Sequence, residues 1–427
     1  MFSLANSRFL KKITGAFSVA VAARAAQFVM AILLARQLDP AGYGAFTFAL
    51  GAGLIIGQLS AMGWPTLMQR LIPQYQINAQ PGLLKGLTRW GDVFVAIAAS
   101  AAAMLTVGAS FAVTSDQHLA AGLVLSALIA PVMAFRRLRR QQLASLNRPA
   151  AGMFLDEALS PLAVLLVAVV VGFGSAADAT YVYTVSGALG VLWASLLLRR
   201  RLGPAQQAPS EKAIGLWFSM SLPMIAGVAS KILMSKTDVV MLAPLSNMEQ
   251  VGLYGAAFRL TYLMTFPQVV LSTVLAPMLS ATYAKGNFQG LKSKYNKASI
   301  FAAVTSIPVA LALTLFASEI MALVFGPNFA VGGEILAIVA VGQALTSMGI
   351  PSQSLLLMTG KERFFTKVNT ASLVINIGLN FFLISKYGAL GAAVSFSLTA
   401  LVVFVLQGVG ARLALKKFLS DEKSDGS

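Results

Sequence analysis

The sequence contains no cysteine and a single histidine, His118. The first absence excludes a disulfide framework, an iron–sulfur cluster and a zinc-thiolate site. The second leaves too few imidazoles for a histidine metal cluster. Charge is scarce as well. Only 11% of the 427 residues are Asp, Glu, Lys or Arg, against about 25% in an ordinary soluble domain. Acid is scarcest: 15 acidic residues face 32 basic ones, which leaves a formal net charge of +17. Long alternating apolar–polar runs are missing, so nothing supports β-strand spans.

What is present is hydrophobic length. Apolar residues make up 57% of the chain, and the mean hydropathy is +0.77. A segment of about 20 apolar residues crosses a hydrocarbon core of roughly 30 Å. Twelve such segments lie at about 14–34, 43–64, 91–113, 118–135, 152–174, 180–198, 214–242, 252–282, 298–325, 333–358, 364–385 and 388–411. They predict an all-α polytopic membrane protein of twelve transmembrane helices. The amino-terminal "MFSLANSRFLKKITG" imitates a signal peptide. The apolar run after it is longer than a signal core and no clean cleavage site follows, so it reads as a retained first span.

In a soluble chain, +17 would suggest nucleic acid. Here the placement of the charges decides. Taking the connections alternately, one side holds 26 of the 32 basic residues, including Arg136, Arg137, Arg139, Arg140 and Arg148. The other side holds Arg36 and Lys386. The positive-inside rule then predicts that both termini are cytoplasmic. The basic loops are expected to lie against anionic membrane lipids, and no nucleic-acid partner is expected. The outer loops, such as "DPAG", "TSDQ" and "SAADA", are too short for an external domain. The central connection "RRRLGPAQQAPSEK" reads as a solvated linker. The expected organisation is a six-helix lobe over 1–200, a cytoplasmic linker over 201–213, a second six-helix lobe over 214–411 and a cytoplasmic tail over 412–427.

The two halves share a pattern. "ARQLDPAGYGAFTFA" closes the first helix and opens the second, and "LAPLSNMEQVGLYGAAFRL" does the same for the seventh and eighth. Leu38 matches Leu245, and Tyr43 matches Tyr254 after a four-residue insertion. Carried back without a gap, Arg24 falls opposite Lys231. Such parallel repeats are related by an axis along the membrane normal, with binding expected near the midplane.

Four basic residues remain inside spans: Arg24, Lys231, Lys236 and Arg259. Arginine stays charged, and at a bilayer centre it costs about 2.5–3.5 kcal/mol on insertion scales. Intramembrane charges therefore usually face a cavity or pathway. Lys231, Ser235 and Asp238 share one helix face, whereas Lys236 points about 140° from Lys231 at 3.6 residues per turn. Asp238 and Arg259 form a candidate structural ion pair, and snorkelling to the interface is the plain alternative for Lys236. Gln27, one turn after Arg24, is placed to join it. Pro223 is the candidate hinge, because bending its helix would move Lys231. Asn376 and Asn380 form a polar stripe suited to interhelical hydrogen bonds. Asp92, Asp156 and Glu157 open helices at the cytoplasmic edge, where the helix dipole accounts for them. Four cations against one buried acid favour an anionic ligand, above all phosphate. No metal or cofactor is expected.

The twelve spans, the "LARQLDPAGYGAF" and "VGLYGAAFRL" turns and the cations in the first helix of each half resemble the polysaccharide-unit (O-antigen and exopolysaccharide, Wzx-like) flippases. These belong to the multidrug, oligosaccharidyl-lipid and polysaccharide exporter superfamily. The resemblance implies a V-shaped two-lobe fold with a central cationic cavity. It implies export of an undecaprenyl-diphosphate-linked oligosaccharide from the cytoplasmic to the periplasmic leaflet of a bacterial inner membrane. Glycosyltransferases, a polymerase and a chain-length regulator would be its pathway partners. Arg24, Lys231, Arg259, Lys236 and Gln27 would meet the pyrophosphate. A cation-coupled multidrug exporter of the same fold is the alternative, but it would want carboxylates in the cavity, and this chain offers mainly Asp238. A membrane polymerase or ligase needs external catalytic groups that the short loops do not supply, so no enzyme activity is expected. A scaffold for glycosyltransferases would not need buried charge.

Overall fold

The computed structural model describes residues 2–112, 116–203 and 207–424. For 2–14, 16–17, 226–228, 230–231 and 421–424 it describes the backbone only, so the Lys231 side chain lies outside the described residues. The fold is all helical: α1 (Phe2–Gln37), α2 (Pro40–Ser60), α3 (Trp64–Ile77), α4 (Pro81–Ala112) and α5 (Gln117–Ser145) come first. Next are α6 (Pro149–Met153), a π-helical turn (Phe154–Ala158), α7 (Leu159–Val170), α8 (Ala176–Leu202) and α9 (Ile214–Leu245). α10 (Met248–Thr261), α11 (Thr265–Ala284), α12 (Phe288–Leu315), α13 (Ala317–Phe325), α14 (Gly333–Met358) and α15 (Glu362–Ser424) complete it.

Short polar side chains start these helices, which is why the connections stay short. Asp39 accepts the Gly42 N–H at 2.7 Å, Asp116 the His118 N–H at 2.8 Å and Asn247 the Gln250 N–H at 2.9 Å. Each satisfies a backbone donor that the first helical turn leaves open. Among the described residues, ten helices are long and apolar enough to cross a membrane. The protein is an all-α polytopic membrane protein. The last of the ten, Glu362–Ser420, has 59 residues, far beyond the length one crossing needs. Its backbone leaves the helix at Gly388, with φ 56° and ψ −131°. That left-handed region favours glycine, and "KYG" is where a turn was expected.

Two elements differ from the sequence reading. The connection after the second span is not an open basic loop. It forms α3, whose Trp64, Leu67, Met68, Leu71, Ile72 and Tyr75 are buried while Arg70 and Gln74 are exposed. The helix enters through Gly63 (φ 75°), where a Cβ would come within 2.4 Å of the Ser221 carbonyl oxygen. In addition, α5 runs on to Ser145, so "RRLRR" is helix rather than loop.

Packing divides the chain into two compact units, Met1–Lys236 and Thr237–Ser427. The border falls inside α9, later than the composition-based linker. Aromatic anchoring is the physical reason. Trp217 at the start of α9 is fully buried with Trp64, and its indole N–H donates to the Tyr75 hydroxyl at 3.0 Å. The preceding segment is tied to α4: Lys85 Nζ donates to the Ala208 carbonyl at 2.9 Å, and the Glu211 N–H to the Gly82 carbonyl at 3.1 Å. In the first unit α5 packs against α2, α3, α4 and α8. In the second, α14 packs against α10, α11, α12 and α15.

Candidate functional site

On α1, Ala23, Ala26, Met30 and Leu34 are buried, and the helix packs on α6, the π turn and α7. Arg24 lies off that face and is exposed. Its rotation is set by a gap in the α7 ladder. Pro161 has no N–H, so the Glu157 carbonyl lacks its helical donor. Gln27 Nε2 fills the place at 2.9 Å. Further along, Gln37 Nε2 donates to the Ala168 carbonyl at 2.7 Å, near the α7 terminus. Gln27 thus fixes the face that α1 turns away from α7, and Arg24 with it. Arg24→Cys in this cysteine-free chain is expected to react with a small charged thiol reagent, while Ala23→Cys, at a position with 0% exposure, stays protected. Equal protection of both would place Arg24 against lipid or protein.

α9 remains helical through Pro223, whose ring is exposed, and Lys236 is half-buried. On α10, the half-buried Arg259 sets its guanidinium carbon 5.6 Å from the Tyr262 ring centroid. Asp238 is buried. Its carboxylate accepts from the Tyr254 hydroxyl at 2.9 Å and from Asn380 Nδ2 at 2.6 Å. Asn380 Nδ2 also reaches Asn376 Oδ1 at 3.2 Å, and Asn376 Nδ2 is 3.4 Å from both Ser395 Oγ and Thr399 Oγ1. Asn380 Oδ1 is buried without a hydrogen-bond partner among the described residues. The asparagine stripe therefore converges on the one acid that the sequence singled out within the spans. Both carboxylate oxygens of this buried acid thus accept a hydrogen bond, one from a phenol O–H and one from an amide N–H, as a buried charge requires.

The sequence reading missed a second charged cluster, in the first unit. It treated Arg136, Arg139 and Arg140 as loop charges. Arg136 and Arg139 are in fact buried on α5. Arg139 grips Asp92 of α4 with two parallel bonds, of 2.7 and 2.8 Å, and also donates to Ser195 Oγ at 2.8 Å and Gln142 Oε1 at 2.7 Å. Arg140 binds Asp156 at 2.9 Å and also Glu157. Arg136 stands 3.9 Å from Asp156, donates to Ser160 Oγ at 3.3 Å and lies 5.3 Å from the Tyr183 ring centroid. The π turn carries both acids, and such turns often mark functional places. The signal was there: Arg136, Arg139 and Arg140 fall at i, i+3 and i+4, one helical face.

Residues 9–283 match the family model described as "Polysaccharide biosynthesis protein", and residues 223–382 match the MatE model. The "probable low-salt glycan biosynthesis flippase Agl15" of Haloferax volcanii is 28% identical over 207 residues, which is 48% of this chain and 44% of that protein. The match thus spans less than half of that relative's length. The "EPS I polysaccharide export inner membrane protein EpsE" of Ralstonia solanacearum is 24% identical over 439 residues, 97% of this chain and 98% of that protein. An inward-facing multidrug resistance MATE family transporter of the MOP superfamily superposes with a TM-score of 0.75 at 14% identity, over 92% of this chain and 95% of that one. The lipid II flippase MurJ in an inward closed conformation gives 0.75 at 13% identity, over 93% and 87%. At such identities, the two structures establish a shared fold.

Proposed function

Because the chain belongs to the polysaccharide biosynthesis protein family, we propose that it is a flippase of lipid-linked sugar. On this reading it moves an undecaprenyl-diphosphate-linked oligosaccharide from the cytoplasmic to the periplasmic leaflet of a bacterial inner membrane by alternating access. Twelve crossings in two lobes, with both termini cytoplasmic, complete the reading. The observation that carries it is Arg24: a permanent cation, exposed on a membrane-spanning helix whose rotation Gln27 fixes.

The chemistry follows from the cargo. A pyrophosphate must cross the hydrocarbon with its charge, and a preplaced guanidinium lowers that barrier through paired, charge-assisted hydrogen bonds. Lys231, Lys236 and Arg259 add positive potential, Asp238 tempers Arg259, and Pro223 lets α9 bend. An interior-negative potential assists outward movement of anionic charge by about 2.3 kcal/mol per charge per 100 mV. The MatE match over 223–382 favours one second reading, a cation-coupled drug exporter.

Expression in a strain lacking its own flippase separates the two. Restored surface polysaccharide and loss of the accumulated lipid-linked unit are expected, with no change in cationic dye efflux. Dye efflux without polysaccharide rescue would overturn the proposal in favour of the drug exporter. In the same strain, reporters fused after Asn147 and Gln207 should read inside and one after Asn328 outside; a reversal would break the orientation.

A further inference from the structure

The second unit carries a groove of about 790 Å³ between α12, α14 and α15. Its charged lining residues are confined to one end. Lys292, near the start of α12, and Arg412 and Lys416, near the end of α15, line it and are exposed. No carboxylate lines it among the described residues. Farther into both helices the lining turns apolar, with Ile300, Val405 and Val409 all exposed. The Tyr295 and Ser352 hydroxyls meet at 3.1 Å, so two polar lining groups already satisfy each other. A Cβ built at Gly408 meets nothing within 4 Å, so the trough is open there.

We propose that this groove is a binding site for one anionic phospholipid, with its phosphate on Lys292, Arg412 and Lys416 and an acyl chain along Ile300, Val405 and Val409. Charge complementarity commits the site to this occupant. Three cations with no lining acid need an anion, and the apolar trough continuing from them needs a chain. Arg412 and Val405 are seven residues apart on one helix, about 10 Å at 1.5 Å per residue, so the trough takes roughly the upper half of an acyl chain. Free phosphate would leave that trough empty. A zwitterionic lipid carries its own cation beside the same phosphate and so brings no net negative charge to the three basic side chains. The lining lies wholly within the second unit, and the proposal is independent of what the protein transports. Its consequence is that the second unit holds anionic lipid more tightly than the surrounding bilayer does.

Brominated lipids provide the test. The four native tryptophans, Trp64, Trp90, Trp193 and Trp217, all lie in the first unit, so Phe404→Trp, at a lining position, reports on the groove once their signal is subtracted. In phosphatidylcholine nanodiscs of the full chain, brominated phosphatidylglycerol is expected to quench this residue at about one-tenth the mole fraction that brominated phosphatidylcholine needs. The triple variant Lys292→Gln, Arg412→Gln, Lys416→Gln should lose that preference. Gly408→Leu, which keeps every charge and fills the trough, should reduce quenching by phosphatidylglycerol about fivefold. Equal quenching by both lipids, or a preference that survives the triple variant, would overturn the site. Displacement of the lipid by millimolar inorganic phosphate would overturn the lipid and leave a phosphate site. Stronger competition by undecaprenyl phosphate would assign the groove to the cargo's lipid instead.

Discussion

Arg24→Ala is expected to abolish polysaccharide export while the protein stays at its normal level in the membrane. The two halves of this expectation rest on different facts. Arg24 is exposed and makes no contribution to the buried α1 face of Ala23, Ala26 and Met30, and alanine is the best helix former. Folding should therefore be indifferent to the change. Export should not be. A hydrogen bond to a charged group contributes about 1.5–3 kcal/mol. Losing a bidentate pair then slows translocation by at least about a hundredfold, at tenfold per 1.4 kcal/mol. Arg24→Lys keeps the charge without the fork and should be partly active. Lys231→Ala should match Arg24→Ala on the proposed reading, in which the two sequence halves align Lys231 with Arg24. Lys236→Ala should be milder, because it points away from Lys231 on the same helix. Complementation of a flippase-deficient strain, with membrane levels measured by immunoblot, reads all four. Normal export by Arg24→Ala at normal abundance would remove Arg24 from the mechanism.

Asp92→Ala should act oppositely, through folding rather than transport. It strips the bidentate partner from Arg139, which is buried at 6% exposure. Breaking a buried ion pair by removing one partner costs about 3–5 kcal/mol. Asp92 is itself 35% exposed, and Ser195 and Gln142 still accept from the guanidinium, so the lower end, about 3 kcal/mol, applies here. Membrane abundance should fall several-fold. The double variant Asp92→Ala, Arg139→Leu should recover much of it, because no unpaired charge stays buried. Thermal unfolding in detergent and membrane abundance are the readouts. A single variant as stable as the parent would show that water already reaches Arg139.

The contrast between these two arginines marks the limit of sequence reasoning. Arg24 stood out because a lone cation interrupts an apolar run, a signal that needs no partner. Arg139 was hidden because it follows Arg136 and Arg137 at the end of a span, where positive charge is expected anyway. Only the extension of α5 to Ser145, and its packing beside Asp92, separated a buried ion-pair residue from a topological one. Asp238 was intermediate. Its burial and the Asn376–Asn380 stripe were legible separately, from hydropathy and i, i+4 spacing. Their meeting was not, since Asn380 lies 142 residues away.

Membrane character, the positions of most helices and the isolation of Arg24 follow from the sequence by itself, because hydropathy and charge are local properties and the bilayer reads them residue by residue. The tertiary structure alone decided that α3 is a packed helix, that Gln27 completes the ladder opened by Pro161, and that the chain divides within α9. It also decided that Lys292, Arg412 and Lys416 end one groove. Each of these depends on which distant helix faces which. That is a matter of side-chain packing and of unsatisfied backbone groups finding partners, and no short window of residues encodes it.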